Sequence, residues 1–100
     1  MNSKVCSAIA GQRQIRFFYK GGYRVGEPFA HGQSRDGSEL VLVYQTDGHS
    51  SSGAALGWRT FRLERLWELE VLEATFDPER QGFDPFMLPM SRVCCQCSEA

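Results

Sequence analysis

A chain of 100 residues has room for one domain with one hydrophobic core, and an apolar fraction of 42% is enough to fill that core. The net charge of −1 argues against a protein that coats nucleic acid by charge alone, and no apolar run approaches the roughly 18 residues that span a bilayer. The first residues are too weakly apolar for a secretion signal, so the sequence predicts a cytoplasmic protein without membrane partners.

The cysteines favour the same compartment. Cys6 stands alone near the N-terminus, and the other three crowd between residues 94 and 97. Secreted disulfide domains distribute cysteines through the fold, so we expect four reduced thiols here. Residues 94–97 contain one C-x-x-C, and Cys6, His31 and His49 are further side chains that can ligate a metal. The second pair of cysteines or histidines that is typical of zinc sites is missing. The sequence therefore predicts neither a metal nor a cofactor.

The first half of the chain predicts a short helix followed by strands. Residues 3–11 favour one or two helical turns, and residues 14–29 alternate as a hairpin that turns at Gly21-Gly22. Pro28 predicts a strand end or a sheet edge there. Residues 40–45, LVLVYQ, are apolar on both faces and predict a central strand, and residues 46–57 read as a Gly/Ser loop.

The segment GWRTFRLERLWELEVLE, residues 57–73, is ambiguous because its Leu and Glu content favours a helix. Its apolar residues do not keep to one helical face, however, whereas alternation fits both of its ends. We therefore predict strand, a short turn near residues 64–67, and strand, with a bulge near Leu72. This interpretation places Arg59 on the same face as Phe61 and Leu63, where an arginine is costly unless it is paired or faces a cleft.

The sum is a mainly β fold, a small Sm-like or SH3-like barrel of about five antiparallel strands with a short N-terminal helix. We expect a barrel domain over residues 1–84 and a C-terminal tail, residues 85–100, that docks on it. No nucleotide-binding or protease motif occurs, and His49 beside three serines has no orienting acid, so we expect no enzyme activity.

Five segments, in order, resemble the WYL domain family: IRFFYKGG, RVGEPFAHG, ELVLVYQTDGHSSSG, GWRTFRLERLWELEVLEATF and RQGFDP. The resemblance covers roughly residues 14–84. The name-giving Trp-Tyr-Leu is absent, since Glu39-Leu40-Val41 occupies its place. The resemblance implies an Sm-like barrel that acts as a regulatory ligand sensor, as in bacterial transcriptional regulators and defence-system accessory proteins.

The resemblance also implies a basic groove for an anionic ligand such as single-stranded nucleic acid or a nucleotide. Tyr19, Arg59 and Arg65 match the family's groove residues, and Arg24 and Tyr44 are the further candidates. Arginine suits phosphate, and Phe18, Tyr23 and Trp58 offer further faces on which bases could stack. The alternatives are plain pairing of these arginines with glutamates, and a protein-interaction or homodimer surface at the barrel edge or the tail from residue 86.

Overall fold

A computed structural model describes residues 3–50, 57–80, 82–85 and 88–97 of the chain. The elements in chain order are α1 (Ser3–Ala10), β1 (Arg13–Tyr19), β2 (Gly22–Gln33), β3 (Glu39–Gly48), β4 (Gly57–Arg62), a 3-10 turn (Leu63–Arg65), β5 (Trp67–Thr75) and β6 (Arg92–Gln96). The strands form one six-stranded sheet in the order β4-β3-β2-β1-β5, and β6 pairs with β2 off this path.

The sheet confirms the mainly β class and the single short N-terminal helix, with six strands instead of about five. Every strand pairing is antiparallel. β4 and β5 are the two ends of the strand order, and in the described residues no ladder joins them. Closure into a barrel therefore stays a prediction, as does the domain boundary at residue 84. β6 shows that the C-terminal segment pairs with the sheet through backbone hydrogen bonds.

β2 is a long interior strand, contrary to the prediction of an end or edge at Pro28. Its first half pairs with β1 as far as Gly26, and its second half pairs with β6 from Ala30 onward, so Pro28 lies between these two partners. On the β3 side the register shifts between Pro28 and Ala30, which is a bulge. A bulge tolerates the missing proline N–H, and it bends the strand so that Phe29 enters the core. The hairpin before it turns at Lys20-Gly21, one residue earlier than predicted.

The ambiguous segment is strand, turn and strand, as the alternation predicted. β4 ends at Arg62, a single 3-10 turn follows, and β5 begins at Trp67. β5 pairs with β1, where Ile15↔Val71 is followed by Arg13↔Thr75. Between these two pairs the chain advances two residues on β1 but four on β5. The extra residues on β5 confirm the predicted bulge near Leu72. Sheet pairing overrides the helical propensity of this Leu- and Glu-rich segment.

The core lies between α1 and the sheet. Val5, Ala8 and Ile9 share one helical face by their spacing, and all three are buried. Aromatic rings fill most of the remaining space, including Phe17 and Phe61, whose centroids are 5.0 Å apart. Within the described residues no helix is both long enough and apolar enough to cross a membrane.

A disulfide between Cys6 and Cys95 ties α1 to β6, so the prediction of four reduced thiols is wrong. The two residues are 89 positions apart in the chain, but α1 packs over β2 and β6 and brings their Cα atoms to 5.9 Å. That separation is within the range of natural disulfides. Cys94 and Cys97 are free thiols, exposed and buried respectively.

Candidate functional site

Arg24 is an arginine held almost entirely inside the protein. It pairs across the hairpin with Phe17, and cross-strand partners share a face, so its side chain enters the core side of the sheet. Only 3% of it is exposed. Its guanidinium carbon lies 4.9 Å from the ring centroid of Tyr19 and 5.6 Å from that of Phe61, and Nε donates to the Tyr19 carbonyl oxygen at 3.3 Å. These aromatic faces stabilise a charge that burial alone would disfavour.

A second guanidinium, that of Arg59, lies close to the first. Arg59 is half-buried and precedes buried Phe61 by two positions on β4, so it faces inward as predicted. Its Nη2 donates to Ser50 Oγ at 2.9 Å. Burial lowers the pKa of Arg24 below its ordinary value, and the positive charge of Arg59 lowers it further. We call Tyr19, Arg24, Ser50 and Arg59 the arginine cluster; it brings two positive charges close together.

The loop that delivers Ser50 is held by the end of β3. Gln45 is fully buried, and its amide nitrogen donates to the His49 carbonyl oxygen at 2.8 Å and to the Asp47 carbonyl oxygen at 3.3 Å. The backbone N–H of His49 in turn donates to the Tyr23 carbonyl oxygen at 2.9 Å. These bonds fold the chain back over the start of β2, so Ser50 reaches Arg59.

A glycine makes room for this loop. A Cβ on Gly22 would lie 2.6 Å from the Cβ of His49, closer than side-chain atoms approach each other, so only glycine permits this contact. The amide oxygen of Gln45 is buried and has no hydrogen-bond donor in the described part of the chain.

The structure does not bring Tyr44 and Arg65 to the arginine cluster. Tyr44 pairs with Trp58, whereas its neighbour Val43 pairs with Arg59, and successive residues of a strand point to opposite faces. Tyr44 thus faces away from Arg59. Arg65 is exposed at the end of the 3-10 turn, and no contact joins it to the cluster in the described residues. Of the five predicted residues, Tyr19, Arg24 and Arg59 therefore come together.

Tyr44 belongs to a second charged region that the sequence did not reveal. Glu27 on β2 is only 5% exposed, and Arg80 binds it with both arms of its guanidinium, Nε to Oε1 at 2.6 Å and Nη2 to Oε2 at 3.0 Å. The same guanidinium lies 4.0 Å from the ring centroid of Tyr44. Its hydrogen bond to Glu27 raises the pKa of Arg80 above its ordinary value. This two-armed ion pair fixes the turn after β5 to the sheet.

An exposed aromatic patch lies on the other face of the hairpin. Phe18 and Tyr23 meet edge to face at 5.3 Å, and Trp67 beside them is 67% exposed. The Tyr23 hydroxyl donates to Glu68 Oε2 at 2.6 Å, and this bond raises the pKa of Tyr23. Arg16 lies over the Tyr23 ring at 4.0 Å. Two of the aromatic residues predicted to stack bases therefore lie here, on the opposite face from the arginine cluster.

Trp58 is the remaining predicted stacking residue, and it packs inside the molecule. Its ring contacts Phe29 at 4.9 Å between centroids, and its indole nitrogen lies against Gly82. A ring held this way has a structural role.

Sulfur and imidazole groups gather at the far end of β2. His31 is fully buried, and its Nδ1 lies 3.3 Å from Cys6 Sγ and 3.8 Å from Cys95 Sγ. Its Nε2 lies 2.9 Å from Glu39 Oε1. Burial acts to raise the pKa of Glu39, but the hydrogen bond from His31, together with nearby positive charge, lowers it overall. Cysteine and histidine side chains ligate transition metals. Among the described residues, Cys6, His31 and Cys95 therefore form a cluster that could hold a metal ion.

The other residues weighed for a metal site do not join this cluster. His49 lies at the opposite end of β2, against Gly21 and Gly22. Cys94 is exposed. Cys97 donates its S–H to the Pro28 carbonyl oxygen at 3.7 Å, and burial raises the pKa of its thiol to about 11. The two cysteines of the C-x-x-C, Cys94 and Cys97, are therefore not the ones that lie beside His31.

Comparisons of this chain with protein-family models, with curated proteins and with solved structures find no match. The resemblance to WYL domains therefore stays a prediction that rests on the five segments between residues 14 and 84.

Proposed function

We propose that the protein is a non-catalytic binding module whose arginine cluster binds an anionic ligand through phosphate groups. The observation that supports this most is the near-complete burial of the Arg24 guanidinium beside a second positive charge on Arg59. Concentrating like charges away from water costs free energy. A phosphate group between the two guanidinium groups offsets that cost with charge-assisted hydrogen bonds.

The side-chain chemistry of the cluster suits a phosphate group. The guanidinium group is planar, stays charged, and matches phosphate oxygens in pairs. Arg59 is oriented by Ser50 and Arg24 by the Tyr19 carbonyl oxygen, so neither long side chain has full rotational freedom to lose on binding. These two preoriented guanidinium groups suit the phosphate of a nucleotide or the backbone of single-stranded nucleic acid.

The surroundings of Tyr19 limit what else the ligand can contact there. Its ring meets Phe61 edge to face at 5.0 Å, and Arg24 and Lys20 lie over it. We expect Tyr19 to shape the cluster rather than to stack a base. Recognition then depends on phosphate and not on base identity, which suits the regulatory sensor that the WYL resemblance implies.

The proposal is tested by fluorescence anisotropy of a labelled single-stranded oligonucleotide across a salt series, with a nucleotide triphosphate as competitor. One phosphate neutralised between the two guanidinium groups predicts that log K falls with log salt with a slope of about −0.7, and Arg59→Ala should bring the slope closer to zero. We expect Arg59→Ala and Arg24→Gln each to weaken binding about 10- to 100-fold, because each removes charge-assisted hydrogen bonds.

Arg62→Ala is the matched control, because Arg62 lies on the same strand but faces outward to Glu64 and Ser38. Arg65→Ala tests the sequence prediction separately, and the geometry predicts little change. Absence of binding at low salt, or equal losses in the Arg59 and Arg62 variants, would retire the proposal. Thermal unfolding of each variant shows that it is folded in the assay.

A second candidate function is self-association through the aromatic patch of Phe18, Tyr23 and Trp67. β5 ends the strand order, and Trp67 at its start is 67% exposed, which is unusual for so large an apolar side chain. Light scattering tests it: a dimer that Trp67→Ser abolishes supports this function, and a monomer at high concentration rejects it. The tail predicted as an alternative surface contains β6, and residues 86–87 and 98–100 lie outside the described residues.

A further inference from the structure

We propose that Cys6, His31 and Cys95 form a zinc-binding site when the protein is reduced, and that the disulfide between the two cysteines closes this site when it is oxidised. The three residues come from α1, β2 and β6, and their ligand atoms lie within 4.8 Å of one another. The proposed zinc site shares no residue with the arginine cluster, so a test that rejects one proposal leaves the other unaffected.

The distances between unlike donor atoms suit a tetrahedral ion. Zinc binds imidazole nitrogen at about 2.05 Å and thiolate sulfur at about 2.3 Å, so at a tetrahedral angle the nitrogen and sulfur lie about 3.5 Å apart. His31 Nδ1 lies 3.3 Å and 3.8 Å from the sulfur atoms of Cys6 and Cys95. The imidazole nitrogen therefore lies at a suitable distance from each sulfur atom, and the two sulfur atoms need only move apart on reduction to share one ion.

The orientation of His31 adds a second, independent observation. Its ring is fully buried, and Nε2 donates to Glu39 Oε1 at 2.9 Å, since a carboxylate can only accept. With the proton on Nε2, the lone pair of Nδ1 points at the two sulfur atoms. A carboxylate that orients a histidine in this way is the usual support of a zinc-binding imidazole. A disulfide alone needs neither the imidazole nor the carboxylate.

The chemistry balances with a dithiol as the reductant. The dithiol gives two electrons to the Cys6–Cys95 bond and one proton to each sulfur atom, and it leaves as its own cyclic disulfide. Zn²⁺ then displaces one proton from each thiol and binds two thiolates and one neutral imidazole. The charges of the ion and the two thiolates cancel, which suits a part-buried site. Three protein ligands leave a fourth position for water.

Isothermal titration of the 100-residue chain with Zn²⁺ alone tests the proposal, after reduction by a dithiol and its removal without oxygen. We expect one zinc ion per reduced chain and none per oxidised chain. Co²⁺ in place of Zn²⁺ should give a sulfur-to-metal absorption band in the reduced protein only, which reports thiolate ligation directly.

Variants separate this site from adventitious binding to thiols. Cys95→Ser should lose the absorption band, whereas Cys94→Ser, at the exposed neighbour, should keep it. Because His31 is buried and its replacement endangers folding, Glu39→Gln is the second variant: we expect zinc affinity to fall about 10- to 100-fold with the band intact. A reduced wild-type chain that binds no zinc, equal zinc uptake by Cys95→Ser, or loss of uptake in Cys94→Ser would overturn the proposal.

Discussion

β2 carries both candidate sites, with Arg24 near its start and His31 near its end, but the two are assembled differently. Arg24 bonds to Tyr19, five positions away across one hairpin turn. His31 lies beside Cys6 and Cys95, which are 25 and 64 positions away. Strand alternation within one hairpin brings Tyr19 and Arg24 together, and Arg59 joins them from β4 of the same sheet. The second site, by contrast, forms only because α1 and β6 pack against β2.

The largest effect should come from opening the Cys6–Cys95 link. It joins residues 89 positions apart, and the chain-entropy relation gives about 4–5 kcal/mol of stabilisation for so long a loop. We therefore expect the free energy of unfolding, measured in urea, to fall by about that amount in the reduced, metal-free protein. Saturating Zn²⁺ should restore part of it.

The arginine cluster should not respond to that reduction. In the protein that remains folded, oligonucleotide affinity should change less than about two-fold, because the described hydrogen bonds and ring contacts that hold the cluster join β1, β2, β4 and the loop after β3. Oxidised Cys94→Ser is the control and should unfold like wild type. A loss of stability below about 1 kcal/mol on reduction would contradict the long-range role of the link.

The next largest effect concerns the ion pair between Glu27 and Arg80, in the middle of β2 between the two sites. Arg80→Leu leaves Glu27 buried without its guanidinium, and breaking such a pair from one side costs about 3–5 kcal/mol. Arg80 itself is 34% exposed, so we expect about 3 kcal/mol in urea unfolding. The double variant Glu27→Gln, Arg80→Leu should recover part of the loss. Arg62→Ala, which breaks an exposed pair with Glu64, should cost less than about 1 kcal/mol.

A smaller effect on stability and binding should come from the end of β3, next to the loop that carries Ser50 to the arginine cluster. Gly48 has φ of +99°, and a Cβ there would lie 2.3 Å from the Tyr23 carbonyl oxygen, which cannot move aside. We expect Gly48→Ala to cost about 2 kcal/mol in unfolding and to weaken anion binding, because it displaces the loop that carries Ser50. Gly37→Ala is the control: φ is +87° but no atom lies within 4 Å, so only about 1 kcal/mol should be lost, with binding intact.

The smallest effect concerns Asp36, in the turn between β2 and β3. A hydrogen bond from Ser34, followed by one from the backbone N–H of Ser38, lowers the pKa of Asp36 from 3.8 to about 2. Its stabilising contribution is complete above pH 3.8 and disappears as the pH falls through about 2. Melting temperatures of wild type and Asp36→Asn should therefore differ slightly above pH 4 and converge near pH 2. A constant difference over that range would contradict this assignment.

The sequence predicted the parts of the molecule that depend on neighbouring residues. Alternation in residues 57–63 put Arg59 on the face of Phe61, and failure of helical periodicity identified the turn before Trp67. Both follow from the two-residue repeat of a strand, which one segment displays by itself.

The sequence could not reveal features that depend on register or on distant packing. Tyr44 was predicted in the groove, but its face is set by the Val43↔Arg59 register, which no local pattern displays. The Arg80 partner of Glu27 is 53 positions away. The Cys6–Cys95 link was missed because the spacing of cysteines in the chain carries no information about α1 lying on β6.

The proposed binding function requires Arg24 and Arg59 to act together as one anion site. Side-chain NMR of arginine-labelled protein, titrated with inorganic phosphate, tests it most directly. We predict that the guanidinium signals of Arg24 and Arg59 shift together and reach saturation, while those of Arg62 and Arg65 stay in place. Equal, unsaturable shifts of all four arginines, or no shift at Arg24, would contradict the claim.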